Sequence, residues 1–470
     1  MRSLAERLVE VVPSERQLAL QDMEFYAFVH FTVNTFTDRE WGDGTESPAV
    51  FNPTRLDAGQ WVAALRAAGM KGLILTCKHH DGFCLWPSKV TDHTVAASPF
   101  GRDVVGEVAR ACREGGIRFG VYLSPWDRHE PRYGSGKPYD DFFIAQLEEL
   151  LTGYGDVFCV WFDGACGEGA NGRKQRYDWE RYYEVIRRLQ PGATIHVCGP
   201  DIRWCGNEAG DTREAEWSVV PARTRDTEKV AAASQHADDE TFRLRSISAS
   251  DRDLGSREVL KDEPDLVWYP AEVNTSIRPG WFWHSRENEA VKPLDKLIDI
   301  YEKSVGGNAT FLLNVPPTSE GLFHANDVAR LKQLGEYLRD TYGENLVAKA
   351  SRLSASPAAP GCGIDNARED DEAYYLPAAQ GAPVEIALEW DEPQPVRRLV
   401  MKEQLRLSQR VERYAIDLMD SSGRWHLATG GSVIGHKRII RLGSQPIRGL
   451  RIRIIDARVA PTLKFIGVYR

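Results

Sequence analysis

The segment Val160-Trp161-Phe162-Asp163-Gly164 ends an apolar run in a carboxylate followed by glycine. A carboxylate held rigidly at such a point can act as a nucleophile, and cleavage of a glycosidic bond needs two carboxyl groups flanking that bond. An aspartate that merely caps the loop after a strand has the same local sequence, so spacing alone leaves both readings open. A second chemical run, His79-His80-Asp81-Gly82-Phe83, follows the apolar stretch Gly72–Thr76, and His30 closes an earlier one, Phe25–Thr32. Neighbouring side chains of a strand point to opposite faces, so one metal seldom takes both His79 and His80 unless the chain bends there. Hydrogen bonding to hydroxyl groups suits these histidines better, with core histidines satisfied by backbone as the alternative. Trp41 lies in the glycine-rich loop Arg39-Glu40-Trp41-Gly42-Asp43-Gly44. Folded over a site, such a loop contributes a ring and an N–H donor; otherwise it is plain surface.

These residues need a scaffold that gathers strand ends. The first two-thirds of the chain alternates short apolar runs with longer amphipathic ones, the pattern of βα units. It predicts strands over Phe25–Thr32, Gly72–Thr76, Arg118–Leu123, Val157–Phe162, Thr194–Cys198, Glu216–Val219, Leu266–Ala271 and Thr310–Leu313. Helices are predicted over Leu56–Ala68, Asp103–Glu114, Asp140–Thr152, Tyr177–Leu189, Lys292–Val305 and Asn326–Thr341. Eight parallel strands close a barrel whose site lies at their C-terminal ends. His30, the His79–Asp81 run, Tyr122 and Asp163 then fall on one rim, from four successive strands. The polar stretch from Pro221 to Asp265 reads as an insertion or loop. Beyond the Pro/Gly/Ser-rich SRLSASPAAPGCG, runs such as VEIALEW and KFIGVYR recur with turn residues between them and no helical period. A barrel domain over residues 1–345 and a β-sandwich over 346–470 are expected.

Composition narrows the function classes. With 42% hydrophobic and 27% charged residues the chain is that of a soluble globular enzyme. Its formal net charge of −9 argues against a nucleic-acid partner. The absence of any run of 18 apolar residues predicts no membrane span. The opening MRSLAERLVEVVPSERQ lacks the apolar core of a secretory signal, and eight cysteines without CxxC spacing read as buried free thiols. Together these predict a cytoplasmic protein, while the oligomeric state is left open.

The segments FVHFTVNTFTDREWGDG, LTCKHHDGF, YLSPWD and VWFDGA, in this order, resemble glycoside hydrolase family 29, the α-L-fucosidases, over most of residues 20–345. The resemblance implies a distorted (β/α)8 TIM-like barrel, a retaining mechanism, and neither metal nor other cofactor. It implies Asp163 as nucleophile, and His30, His79, His80, Trp41 and Tyr122 as ligands of fucose, with Trp161 nearby. His-Phe at positions 30–31 replaces the His-Trp of many members and leaves the histidine in place. The acid/base differs between branches of the family. Here Arg203-Trp204-Cys205-Gly206-Asn207-Glu208-Ala209-Gly210 follows the expected fifth strand, with Glu208 45 residues after Asp163. That segment is similar to the branch acting on α-1,3/1,4-fucosyl linkages and implies Glu208, with Glu216 and Glu272 as competing carboxyls. After the seventh strand, Trp281 is expected at the substrate, aromatic rings there packing on the C6 methyl of fucose, and Arg278 is expected either to touch the substrate or to fix the loop.

The expected activity is exo-hydrolysis of terminal α-L-fucosyl residues from oligosaccharides or glycoconjugates by double displacement. A metal-dependent barrel hydrolase using His30, His79, His80 and Asp163 as ligands is one rival reading. A catalytically silent glycan-binding protein is another. The sandwich resembles the discoidin-like modules that follow such barrels, and is expected either to bind carbohydrate or to cover one end of the barrel and lend a loop to the site.

Overall fold

A computed structural model describes residues 3–248, 251–380 and 383–470. Ten strands occupy the first part of the chain: β1 (Phe25–Val29), β2 (Gly72–Lys78), β3 (Arg118–Leu123), β4 (Cys159–Phe162), β5 (Thr194–Val197), β6 (Arg203–Trp204), β7 (Val219–Pro221), β8 (Leu266–Trp268), β9 (Ala271–Ser276) and β10 (Ala309–Asn314). Eight of them form one sheet in the order β5-β4-β3-β2-β1-β10-β9-β6. Every pairing in it is parallel. A single parallel bridge from His196 to Ile202 links β6 back to β5, so the sheet curls into a nearly closed barrel.

The period of two explains what each strand offers. In β1, Tyr26 and Phe28 turn into the lumen cluster, while Phe25, Ala27 and Val29 pack on the surrounding helices. β4 repeats this, with Cys159 and Trp161 inward and Val160 and Phe162 outward. Continuing the count by two carries His30 and Asp163 to the rim of the lumen. The helices run over Ala58–Ala67, Val104–Gly115, Lys137–Gly153, Trp179–Leu189, Leu294–Ser304 and Ala325–Tyr342. Asp57, Asp103 and Asp178 cap three of them by accepting a backbone N–H, which satisfies donors the first turn cannot.

The sixth and seventh strands depart from expectation. Glu216–Val219 is not a barrel strand. Val219–Pro221 instead pairs antiparallel with Leu266–Trp268 in a separate two-stranded sheet. The barrel position belongs to Arg203–Trp204, which pairs with the start of β9. Two residues are too few to show a period. Pro270, which has no N–H, breaks the run read as one strand into β8 and β9. Glu208 thus follows the sixth strand, not the fifth.

Beyond the helix ending at Tyr342 the chain forms β11 (Arg352–Ala355), β12 (Val384–Gln394), β13 (Arg398–Glu403), β14 (Val411–Met419), β15 (Trp425–Gly431), β16 (Arg438–Arg441), β17 (Ile447–Ala457) and β18 (Leu463–Tyr469). They make a five-stranded sheet, β11-β12-β17-β14-β15, and a three-stranded one, β16-β13-β18, around a core running from Leu346 to Val468. This sandwich docks at the N-terminal ends of the barrel strands. Glu24, just before β1, pairs with Lys437 at 2.8 Å and Lys402 at 3.3 Å. Asn308, just before β10, accepts the His436 N–H at 2.7 Å. No helix among the described residues is long and apolar enough to cross a membrane. All eight cysteines are free, six of them buried.

Candidate active site

A pocket of about 580 Å³ opens at the C-terminal ends of the barrel strands. His30, Trp41, His79, His80, Trp161, Asp163, Glu208 and Trp281 all line it. Every lining residue lies between Phe28 and Trp281, so the described residues of the sandwich lend nothing to this wall.

Asp163 hangs from the end of β4 with its oxygens held by local donors. The Ala165 N–H reaches Oδ1 at 2.8 Å, and the Tyr122 hydroxyl reaches Oδ2 at 2.9 Å. Tyr122 is itself fully buried beneath the pocket. Burial raises the Asp163 pKa above the usual carboxylate value, and these donors oppose the rise. Gly164 is required here, because a Cβ at that position would stand 2.1 Å from Ser234 Oγ of the 221–265 insertion.

The Glu208 pKa is raised by burial as well, up to about 7; the Trp281 indole N–H, 2.9 Å from Oε2, opposes this, and the Asp163 charge adds to it. One pocket therefore holds a carboxyl that keeps its proton near neutrality and one supplied with donors that favour the anion, the division of labour that acid–base chemistry requires. Trp281 is held in turn by a residue not anticipated from sequence. Glu40, also lining the pocket, accepts the Trp281 and Phe282 N–H groups at 2.8 and 3.1 Å and bonds His284 Nε2 at 2.8 Å. Gly280 is needed beside it, since a Cβ there would lie 2.4 Å from Glu40 Oε1. Glu40 adjoins Trp41 in sequence, but its partners lie some 240 residues on, where no local pattern points.

The histidines are neutral by burial, which lowers His30 to about 4, His80 to about 3, and His79 well below its ordinary value. His80 Nδ1 contacts Ser124 Oγ at 2.7 Å, and that hydroxyl donates its hydrogen to the Trp126 carbonyl at 2.6 Å. The Nδ1 must then be the donor, which leaves Nε2 as a lone-pair acceptor 3.8 Å from Asp163 Oδ2, too far for a hydrogen bond. His30 Nδ1 is fixed by Asn314 Oδ1 at 2.8 Å. His79 and His80 reach the same pocket because the β2–β3 pairing shifts register between Thr76 and Lys78. The shift sends Lys78 away from the lumen, where it pairs with Asp127 at 2.8 Å over the Phe142 and Phe143 rings. It also brings one donor atom each from His79, His80 and Asp163 within 4.8 Å of one another, close enough to share a cation.

Three other carboxyl or guanidinium groups from the sequence reading lie elsewhere. Glu272 is buried in the lumen below, where the Trp161 indole donates to it at 2.7 Å, His196 contacts it at 2.8 Å, and the Tyr26 hydroxyl bonds it as well. Glu216 is buried between Arg203 and Arg213. Neither lines the pocket. Arg278, expected at the substrate, is instead fully buried, with Nε and Nη2 each 3.0 Å from Asp327. An arginine deprived of water needs such a partner, and this one is spent inside the protein. Beyond Glu40, the reading missed Trp204, Asn274, Ser234 and Gln235 as wall residues. Trp204 donates to Asn274 at 3.1 Å, a contact between β6 and β9 that required the correct sixth strand.

Comparison with known proteins bears directly on this pocket. Residues 14–344 match the family model Alpha-L-fucosidase. The chain is 38% identical to Alpha-L-fucosidase 1 of Arabidopsis thaliana, over 97% of this chain and 87% of that one. It superposes on a Ruminococcus gnavus family 29 fucosidase in complex with fucose with a TM-score of 0.83 at 30% identity, covering 98% and 95% of the two chains. A family 29 glycoside hydrolase from an unknown rumen bacterium gives 0.78 at 37% identity, over 98% of this chain and 77% of that one. The chain belongs to glycoside hydrolase family 29 and is an α-L-fucosidase.

Proposed function

We propose that this enzyme is a retaining exo-fucosidase in which Asp163 attacks the anomeric carbon and Glu208 serves as acid and then base. One observation carries the reading: of the three carboxyls that line the pocket, Glu40 is taken up by Trp281, Phe282 and His284, and of the other two Glu208 has its pKa pushed up to about 7. In the first step the Asp163 carboxylate bonds to the anomeric carbon as the glycosidic oxygen leaves with the Glu208 proton. In the second, Glu208 takes a proton from water, whose oxygen displaces Asp163 and restores the original configuration. His80 Nε2, held as an acceptor, suits a sugar hydroxyl, and the neutral His30 and His79 stand beside it. Trp41 and Trp281 supply rings for the apolar face of the sugar. Tyr122 orients the nucleophile from below.

The preference we assign is for α-1,3/1,4 linkages in branched glycans, supported by the segment Arg203–Gly210 and the placement of Glu208 on it. The test compares a Lewis-type trisaccharide with an α-1,2-fucosyl oligosaccharide. The former should be cleaved with a much larger kcat/KM; equal values, or the reverse order, would remove the linkage assignment. The cluster of His79, His80 and Asp163 keeps a metal-dependent hydrolase as the second reading, which chelation distinguishes.

A further inference from the structure

The sugar pocket shares Glu208 and Trp281 with a second, open cavity of about 920 Å³. Glu208 thus stands in the wall between the two, where the oxygen that takes its proton must depart.

Its charges are mostly settled within the protein. Arg278 is matched by Asp327, Lys303 by Asp299 at 2.7 Å, and Arg243 by Asp238 at 3.0 Å. Asp211 accepts the Ile247 N–H at 3.0 Å. Two lysines are left over beside the Asp211 carboxylate, for which no cation stands within ion-pair distance among the described residues. Among the described residues, Lys292 Nζ donates only to carbonyls, to that of Ser276 at 2.6 Å and of Arg278 at 3.5 Å. Lys296 is exposed on the first turn of the helix Leu294–Ser304. Neither has a carboxylate within ion-pair distance among the described residues. Burial, and then the neighbouring Lys296 charge, lower the Lys292 pKa to about 8, against the smaller opposing effect of the Glu287 charge. Two cations that disfavour one another, one of them largely out of water, form a place where an anion is welcome.

We infer that this cavity receives the sugar from which fucose departs and favours one bearing an anionic substituent, a carboxylate or a sulfate, held by Lys292 and Lys296. The inference rests on Glu208 being the proton donor. It goes beyond that role in fixing the charge of the substrate.

Three oligosaccharides test it: a neutral fucosylated trisaccharide, its sialylated form and its sulfated form, each at low and high NaCl. In low salt at least one anionic form should show a kcat/KM roughly 5-fold or more above the neutral one, with the advantage shrinking as salt screens the lysines. Which of the two is favoured separates carboxylate from sulfate. Lys296→Ala should cost the favoured anionic substrate about 3-fold more than the neutral one. Lys292→Gln should cost it more still. Because Lys292 also ties down two carbonyls, its variant can fail to fold, and the exposed Lys296 then decides. Equal kcat/KM for all three substrates, or a preference that Lys296→Ala leaves intact, overturns the inference while the fucosidase assignment stands. If Glu208→Ala cleaves the neutral trisaccharide as well as wild type does, the proton-donor reading fails first and takes the inference with it.

Discussion

Two carboxyls of the pocket, Asp163 and Glu208, are held by different kinds of structure. Asp163 ends a regular barrel strand, and the donors that oppose the rise in its pKa are the residue two places on and a tyrosine of the adjacent strand. Glu208 sits on a loop after a two-residue strand, and its bond comes from Trp281, which Glu40 fixes across the mouth of the barrel. The proposed nucleophile is thus a product of local geometry and the proposed acid one of long-range assembly. Damage should therefore be abrupt at the first and graded at the second.

The largest effect expected is at Asp163. Asp163→Gly should lower kcat by roughly a thousand-fold or more on any fucoside, since it removes the proposed nucleophile. Azide should restore turnover as a fucosyl azide. Near-normal hydrolysis without azide would make the two carboxyls alike and undo the comparison. Next is Glu208→Ala. Losing a general acid costs on the order of 100- to 10,000-fold where the leaving group needs a proton, and far less for a 4-nitrophenyl fucoside. Equal losses on both substrates would shift the role to another carboxyl.

A smaller effect sharpens the contrast. The Trp281 indole lowers the Glu208 pKa, so Trp281→Phe should raise it further above about 7. Activity requires Glu208 protonated, so the alkaline limb of kcat/KM on an oligosaccharide should move to higher pH. The acid limb, set by Asp163, should stay where it was. A downward shift would mean that the indole does not act on this group. The smallest expected effect is none: exhaustive chelation should leave activity intact, whereas loss that Zn²⁺ restores would favour the cation reading of His79, His80 and Asp163.

The same contrast explains what was legible in the sequence. Strands such as Arg118–Leu123 and Ala309–Asn314 are long enough to show apolar runs, so most of the barrel and the rim position of Asp163 could be read directly. The sixth strand could not, because two residues carry no period and Glu216 and Trp217 offered a more apolar decoy. His79 and His80 looked incompatible with one site until the register shift in β2 supplied the bend. Arg278 sits among aromatic residues in sequence, yet its partner Asp327 lies 49 residues away. Glu40 was hidden for the same reason: its role is written in the backbone of Trp281 and Phe282. Side chains whose partners are sequence neighbours announce themselves, and those completed by tertiary contacts do not.

The most direct measurement is to trap the enzyme with a 2-deoxy-2-fluoro-fucosyl fluoride, which slows the second step more than the first, and to map the labelled peptide by mass spectrometry. A single adduct on Asp163, formed in the wild type and absent from Asp163→Gly, is the predicted result. An adduct on Glu208, Glu40 or any other carboxyl, or turnover without any adduct, would contradict it.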